Sequence, residues 1–424
     1  MMEQGALPAA PSADGADIPG RKGGRVAWDP LAFLMAWFIP LVIVGYPIAG
    51  ASTIFVPFVE PTTVTYGYRG IVAALSALAI VAALVRNQTP IFPMALTVFL
   101  LAYLVRLYVD NFAFGIYRAD LAIIFYVGGV LPPVLAVFFA GRTLDEHQLI
   151  RPTFAAALVA ATLLLLIGLL GLESEIVNSL EQTGGRLSLE TVNAISIGHV
   201  GATLLISCVV AWYHPGRLVP KILIAVAAAI GVATMIQAGS RGPFVAVGVC
   251  VVVYCVIARR WGVVLLTLAA VAAVALRSSP DQLVILDRFS TVGWDASVSE
   301  RLLSQDYAIA DFFDHPFVGN AYIELATLDY PHNLILDAAM AMGLAGLIPL
   351  FIFTFQAART AVARMRQGRL LVALLVIQFF MAAQFSGSIW GHGSLLTMIG
   401  LILVWVRRDA ATAAAGPARH APSI

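Results

Sequence analysis

Long apolar runs separated by short polar breaks set the pattern of this chain from residue 29 onward. A helix needs roughly 20 apolar residues, about 17–25, to cross the hydrocarbon of a bilayer. Twelve runs of that kind are predicted as spans: 29–49, 70–86, 90–109, 119–140, 153–171, 192–213, 221–238, 243–258, 261–276, 333–355, 370–390 and 394–406. The expectation is an all-α integral membrane protein of about twelve transmembrane helices, in one polytopic domain from 28 to 408. An even number of spans puts both termini on one side. Residues 1–27, rich in Ala, Gly, Pro and Asp, are expected to be a disordered tail, and 409–424 a second tail.

Two polar breaks are long. One covers 171–191; the other, about 277–332, is far longer than a plain connection needs. Inside the second, Ser297 and Glu300 fit a capping box. The helix expected after them puts Leu302, Leu303, Tyr307, Ala310 and Phe313 on one side, and Pro316 ends it. That is the pattern of a short helix lying at a membrane interface, apolar side toward lipid or toward the bundle.

Composition strengthens the membrane reading. The chain has 424 residues, 60% hydrophobic and 12% charged, with a mean hydropathy of +0.90. A soluble protein of this size needs far more polar surface. The net charge of +1 and the absence of any basic run give no electrostatic basis for nucleic-acid binding. Cys208, Cys250 and Cys255 fall in apolar runs without a CxxC or Cys/His pairing, so they are expected to be buried thiols.

Charge also orients the chain. With the N-terminus in the cytoplasm, 17 of the 25 basic residues are cytoplasmic, as the positive-inside rule requires. The outer side then carries Arg69, Arg106, Arg118, Arg186, Arg241, Arg277, Arg288 and Arg301. All are arginines, whose planar fork suits phosphate or carboxylate; both lysines, Lys22 and Lys221, are cytoplasmic.

Four outer features could carry chemistry. Arg241 sits in the turn Ser240-Arg241-Gly242-Pro243 between two apolar helices, where helix-start amides could face an anion; it could equally cap a carbonyl end or reach to water. His332 stands at the mouth of the 333–355 helix with Asn333 as its expected cap. It could act as acid or base, or simply be a hydrogen-bonded interfacial residue. Asp337, about 140° further round an ideal helix, is a poor partner for His332 and is expected to face the bundle interior. Arg301, in the first turn of the interfacial helix, opposes the helix dipole and needs compensation from Glu300, Asp306 or a ligand phosphate. Arg186 lies beside the Gly184-Gly185 pair, or is a plain exposed loop residue. HExxH, P-loop, GxSxG and outer DxD motifs are absent, and no cofactor or metal is expected.

Taken together, these pieces resemble the bacterial O-antigen ligase and O-antigen polymerase superfamily. The matching segments are SRGPFVAVGV at 240–249, SERLLSQDYAIADFFDHPFVG at 299–319 and HNLILDAAMAMGLAGL at 332–347, with a weaker GGRLSLETVNAISIG at 184–198. The chain departs from that pattern at Gln305, where a Trp is usual. It departs again at Ala341, where an acid is usual, and at Gly319-Asn320-Ala321, where a glycine pair is usual. The resemblance implies a metal-independent, inverting glycosyltransferase of the bacterial inner membrane, with its site in a periplasmic loop at about 277–332. The implied donor is a glycan on undecaprenyl pyrophosphate, and the acceptor a sugar hydroxyl of lipid A-core (ligase) or of a second carrier-linked glycan (polymerase). It casts Arg241, Arg186 and Arg301 as pyrophosphate-binding residues and His332 as the catalytic base. A transporter of lipid-linked glycans is the rival reading. The near absence of charge in the middle of the predicted spans favours an interfacial enzyme, since transporters concentrate ionisable groups there.

Overall fold

A computed structural model describes residues 29–55, 58–171, 192–214, 219–259 and 296–414. Among these the protein is helical and forms no sheet; Glu324 and Asp329 make an isolated bridge. The helices are α1 Pro30–Ser52, α2 Pro61–Val85, α3 Met94–Phe112, α4 Ala119–Gly129, α5 Leu131–Ala140, α6 Glu146–Leu169, α7 Ala194–Tyr213, α8 Lys221–Ala238, α9 Arg241–Ile257, α10 Ala296–Asp314, α11 Leu334–Arg366, α12 Leu371–Ala382 and α13 Gly393–Ala414. Among the described residues eight segments are long and apolar enough to cross a bilayer, α4 and α5 counting as one. This is a multi-pass membrane protein.

Several predicted ends move. α2 begins at Pro61 rather than 70, and α6 at Glu146 rather than 153. In both cases the first turns are polar and invisible to a hydropathy reading. The 119–140 run is two helices, broken at Val130, because Pro132 and Pro133 cannot donate the backbone bonds that would continue α4. The 370–390 run stops at Ala382, and α13 continues to Ala414 instead of 406. α10 already starts at Ala296, so Ser297 is inside the helix rather than its cap, and Arg301 stands in the second turn. The predicted span 261–276 and the break 171–191 fall on 260–295 and 172–191, outside the described residues.

α11 is the most altered. It runs 33 residues and contains a break at Gly343, with φ 56° and ψ −145°. The amides of Leu344 and Ala345, which lose their helical acceptors there, donate instead to Pro316 O (2.8 Å) and Phe317 O (3.0 Å). Asn320 N in turn donates to Met340 O at 2.8 Å. The 316–320 segment is thus docked into the break, and only glycine fits: a Cβ on Gly343 would stand 2.5 Å from Pro316 O. A second tie comes from Asp110 on α3. Its carboxylate pairs with Arg106 and accepts from Tyr322 N at 2.8 Å. Together these bonds fix the 316–323 part of the long loop against the bundle.

The two ends of the bundle differ. At one, Asp29 pairs with Arg86, Arg364 with Asp409 (2.8 Å) and Arg408 with Asp145 (3.2 Å), while Arg407 donates to Phe92 O at 2.8 Å. Those arginines are among the ones that sequence charge assigns to the cytoplasm. The candidate site occupies the other end. The three cysteines are buried, as expected.

Candidate functional site

The end opposite the arginine-rich one is organised around residues 383–392, which join α12 to α13. This segment is apolar enough in sequence to read as helix, yet it folds back against the start of α11. Leu334 N donates to Ala383 O at 2.8 Å, and the wholly buried Asp337 accepts from Ser388 Oγ (2.8 Å) and Ile389 N (2.7 Å). Asp337 therefore faces the interior, as its helical angle from His332 requires, and has a structural task there.

Two of the sequence candidates border that segment directly. Arg301 Nη1 donates to Phe385 O at 3.2 Å, so a carbonyl supplies compensation where Glu300, Asp306 or a phosphate was anticipated. Arg241 is the first residue of α9, half-buried, and Pro243 sits in the first turn as its ring prefers. Gly242 marks where this helix start lies: a methyl on it would be 3.9 Å from Phe385 Cβ and 4.0 Å from His199 Nε2. Arg186 falls outside the described residues.

His332 precedes α11 in the left-handed region, φ 52°, which histidine tolerates better than most side chains. Asn333 is the cap, its side chain accepting from Ile335 N (3.0 Å) and Leu336 N (3.1 Å). The turn holds the imidazole between neighbours. Nε2 lies 3.5 Å from Asp329 Oδ2, the ring lies 4.5 Å from that of Tyr330, and Nδ1 is buried without a hydrogen-bond partner among the described residues. Partial burial alone would raise the Asp329 carboxyl. The bond from His332, the Tyr330 amide at 2.8 Å and the charges of His332 and Arg301 outweigh it and hold the group below its usual range. Burial raises the Tyr330 phenol to about 12, so it stays protonated at neutral pH. Glu324 is committed to the loop's own shape, accepting from Ala326 N and Thr327 N at 2.6 Å each.

α10 covers this mouth with an unusual polarity. Ser304 and Ala308 are its packed residues, and Gln305 Nε2 donates to Pro331 O at 3.1 Å. The predicted apolar side faces outward, with Phe313 73% and Leu302 55% exposed. Gln305, which replaces the aromatic of the resembling pattern, thus ties the helix to the peptide just before His332.

Beside the mouth is a cavity of about 370 Å³ that the sequence candidates do not line. Its walls include Tyr46, Arg69, His199, Tyr330, Trp390 and His392. Arg69 donates to Thr65 O at 3.2 Å, and its guanidinium lies 3.8 Å over the Phe125 ring. Both ring nitrogens of His199, Nε2 of His392 and Nε1 of Trp390 are buried without hydrogen-bond partners among the described residues. Burial lowers the His392 imidazole to about 4. Sequence reasoning missed these residues. The available signal was a histidine near the start of an apolar helix with glycine beside it, at Gly198-His199 and at Gly391-His392-Gly393, which is the context that had singled out His332.

Among the described residues no group of three or more His, Cys, Asp and Glu side chains could hold a metal ion. Comparison with protein-family models, with curated proteins and with solved structures finds no match for this chain.

Proposed function

We propose that the protein is an inverting glycosyltransferase of the bacterial inner membrane, working at the periplasmic face of a twelve-span bundle. It would move a glycan from undecaprenyl pyrophosphate to a sugar hydroxyl of lipid A-core. The observation that carries the reading is the Asp329–His332 pair beside Arg301, at the mouth of α11 and under a helix whose apolar side faces outward. A base needs an orienting partner and a proton-accepting atom not already committed to another hydrogen bond. Asp329 supplies the first at Nε2, and Nδ1, buried but without a hydrogen-bond partner among the described residues, supplies the second.

In this reaction the acceptor oxygen attacks the anomeric carbon from the face opposite the pyrophosphate. Its proton passes to His332 Nδ1, the bond from the anomeric carbon to the phosphate oxygen breaks, and the electron pair leaves with undecaprenyl pyrophosphate. Arg241 and Arg301, with Arg186, would carry the leaving group's charge, a role in which preorganised cations stabilise the transition state. The outward apolar side of α10 suits a helix resting in the headgroup region, where a lipid-linked donor arrives laterally. Polymerisation of two carrier-linked glycans uses the same chemistry with another acceptor.

The test is in vitro. Purified protein receives carrier-linked glycan with and without lipid A-core. Transfer to core supports the ligase, and a ladder formed without core identifies the polymerase. His332→Asn, which tolerates the left-handed backbone, and His332→Gln should each lose about 10²–10⁴-fold in rate while donor binding persists. Near-normal turnover in either variant removes His332 as the base.

A further inference from the structure

The cavity next to His332 has the chemistry of a carbohydrate subsite. We propose that it binds one or two neutral sugar units of the glycan, stacked against Tyr330 and Trp390 and hydrogen-bonded by His199, His392 and the Trp390 indole. The choice of sugar as ligand rests on the glycosyl-transfer reading; the existence of a polar ligand does not.

Unpaired groups make the first argument. An unsatisfied buried polar atom costs about 1–3 kcal/mol, and native proteins keep few of them. Here four buried nitrogens from His199 on α7 and from Trp390 and His392 in the 383–392 segment lack hydrogen-bond partners among the described residues, and all three side chains line the same cavity. An alkyl chain entering the space would leave each of them unsatisfied. A ligand rich in hydroxyls would satisfy them, because a neutral imidazole offers one donor and one acceptor.

Charge makes the second argument. His392 is neutral above about pH 4. The cation of the cavity, Arg69, has its guanidinium over the Phe125 ring at 3.8 Å and within 5.4 Å of the Tyr46 ring centre. Aromatic faces already hold that charge. The site is therefore poorly built for a free phosphate and well built for hydroxyls.

Shape and place make the third. At about 370 Å³ the space is near the small end of the roughly 300–1,000 Å³ range of ligand sites. Trp390 meets Tyr330 edge-on at 5.9 Å and Phe125 at 5.4 Å, giving flat apolar walls between the polar groups. Tyr330 also packs on the His332 ring at 4.5 Å. A sugar held there would sit one aromatic ring from the proposed base, so the cavity selects the unit next to the bond being made.

The experiment uses the full-length protein in lipid nanodiscs free of sugar-based detergent. Saturation-transfer NMR is recorded with galactose, N-acetylglucosamine and N,N′-diacetylchitobiose, and phosphorus NMR with inorganic phosphate. At least one sugar should show transfer that phosphate does not displace. Trp390→Ala removes a stacking face, worth about 0.5–1.5 kcal/mol, so it should weaken sugar binding about 2–10-fold. Trp390→Phe keeps the ring and should lie between that variant and the wild type, which separates lost stacking from lost folding. Ser196→Trp, projecting from the cavity wall, should abolish binding. The proposal is overturned by absence of sugar saturation, by displacement with phosphate, or by wild-type binding in both Trp390→Ala and Ser196→Trp. Glycan transfer measured on the same samples separates the two readings. Sugar binding without transfer sinks the transferase and keeps the subsite; transfer without sugar binding does the reverse.

Discussion

Gly343→Ala tests whether the break in α11 positions the proposed catalytic mouth. At φ 56° and ψ −145° the residue lies close to a region that is essentially glycine's alone, and a side chain there costs about 1–3 kcal/mol in backbone strain. The added methyl would also stand 2.5 Å from Pro316 O and 2.7 Å from Phe317 C, both backbone atoms. Relief requires the 316–319 segment to move away. That movement breaks the bonds from Leu344 N and Ala345 N, and each amide left unpaired costs about 1–3 kcal/mol. With some relaxation, a loss of about 3–6 kcal/mol is expected from strain and one or two lost bonds. Gly248→Ala, in α9 with nothing within 4 Å of the new methyl, is the matched control and should be neutral or stabilising by up to about 1 kcal/mol. Unfolding in mixed micelles reads stability, and cysteine labelling of Ala321→Cys, buried in the docked stretch, reads its release. Equal stability of the two alanine variants, with unchanged labelling and transfer, would refute the docking argument.

The remaining expectations are narrower. Arg241→Ala should lower transfer about 10²–10³-fold, the usual effect of removing one transition-state donor, and Arg241→Lys should rescue little of it, because a point charge cannot replace the fork; wild-type rates in both variants would return Arg241 to a capping role. Asp110→Ala should destabilise by about 3–5 kcal/mol, since Arg106 loses its charge partner and Tyr322 N its acceptor; an unchanged unfolding midpoint would deny the tie. The lowered imidazole of His392 fixes a pH slope: the unfolded chain takes up its proton as pH falls through 6.5, while the folded group stays neutral to about 4. Stability is therefore full above pH 6.5 and declines between 6.5 and 4, and His392→Asn should flatten that decline as read by unfolding midpoints. Reporter fusions after Arg260 and after Arg288 should score inside and outside; the opposite result would place the mouth of α11 in the cytoplasm.

How much of this was legible depends on whether a feature is written in neighbouring residues. Among the described residues hydropathy located eight long spans, because a bilayer tests each run of about 20 residues separately. It failed at 370–390, where the deciding partners are distant: α12 stops at Ala382 because Asp337 and Leu334 hold the backbone of 383–389 in another path. Irregular backbone is tolerated at such a place only when protein satisfies it, and no local reading sees that satisfaction. The same holds for Gly343, one of several glycines in an apolar helix, whose necessity appears only when Pro316 is placed against it. His332, Asn333 and Arg301 were readable because a loop meeting a helix leaves caps and charges in one stretch. His199 and His392 were not, since one comes from α7 and the other from the 383–392 segment, and they converge only in the fold. This asymmetry carries a functional consequence. The residues proposed to move the proton and hold the pyrophosphate lie in motifs, where the reaction is general to the chemistry. The residues proposed to choose the sugar are scattered over α7, the long loop at Tyr330 and the segment before α13. Specificity built that way can change one wall at a time while the Asp329–His332 pair stays fixed.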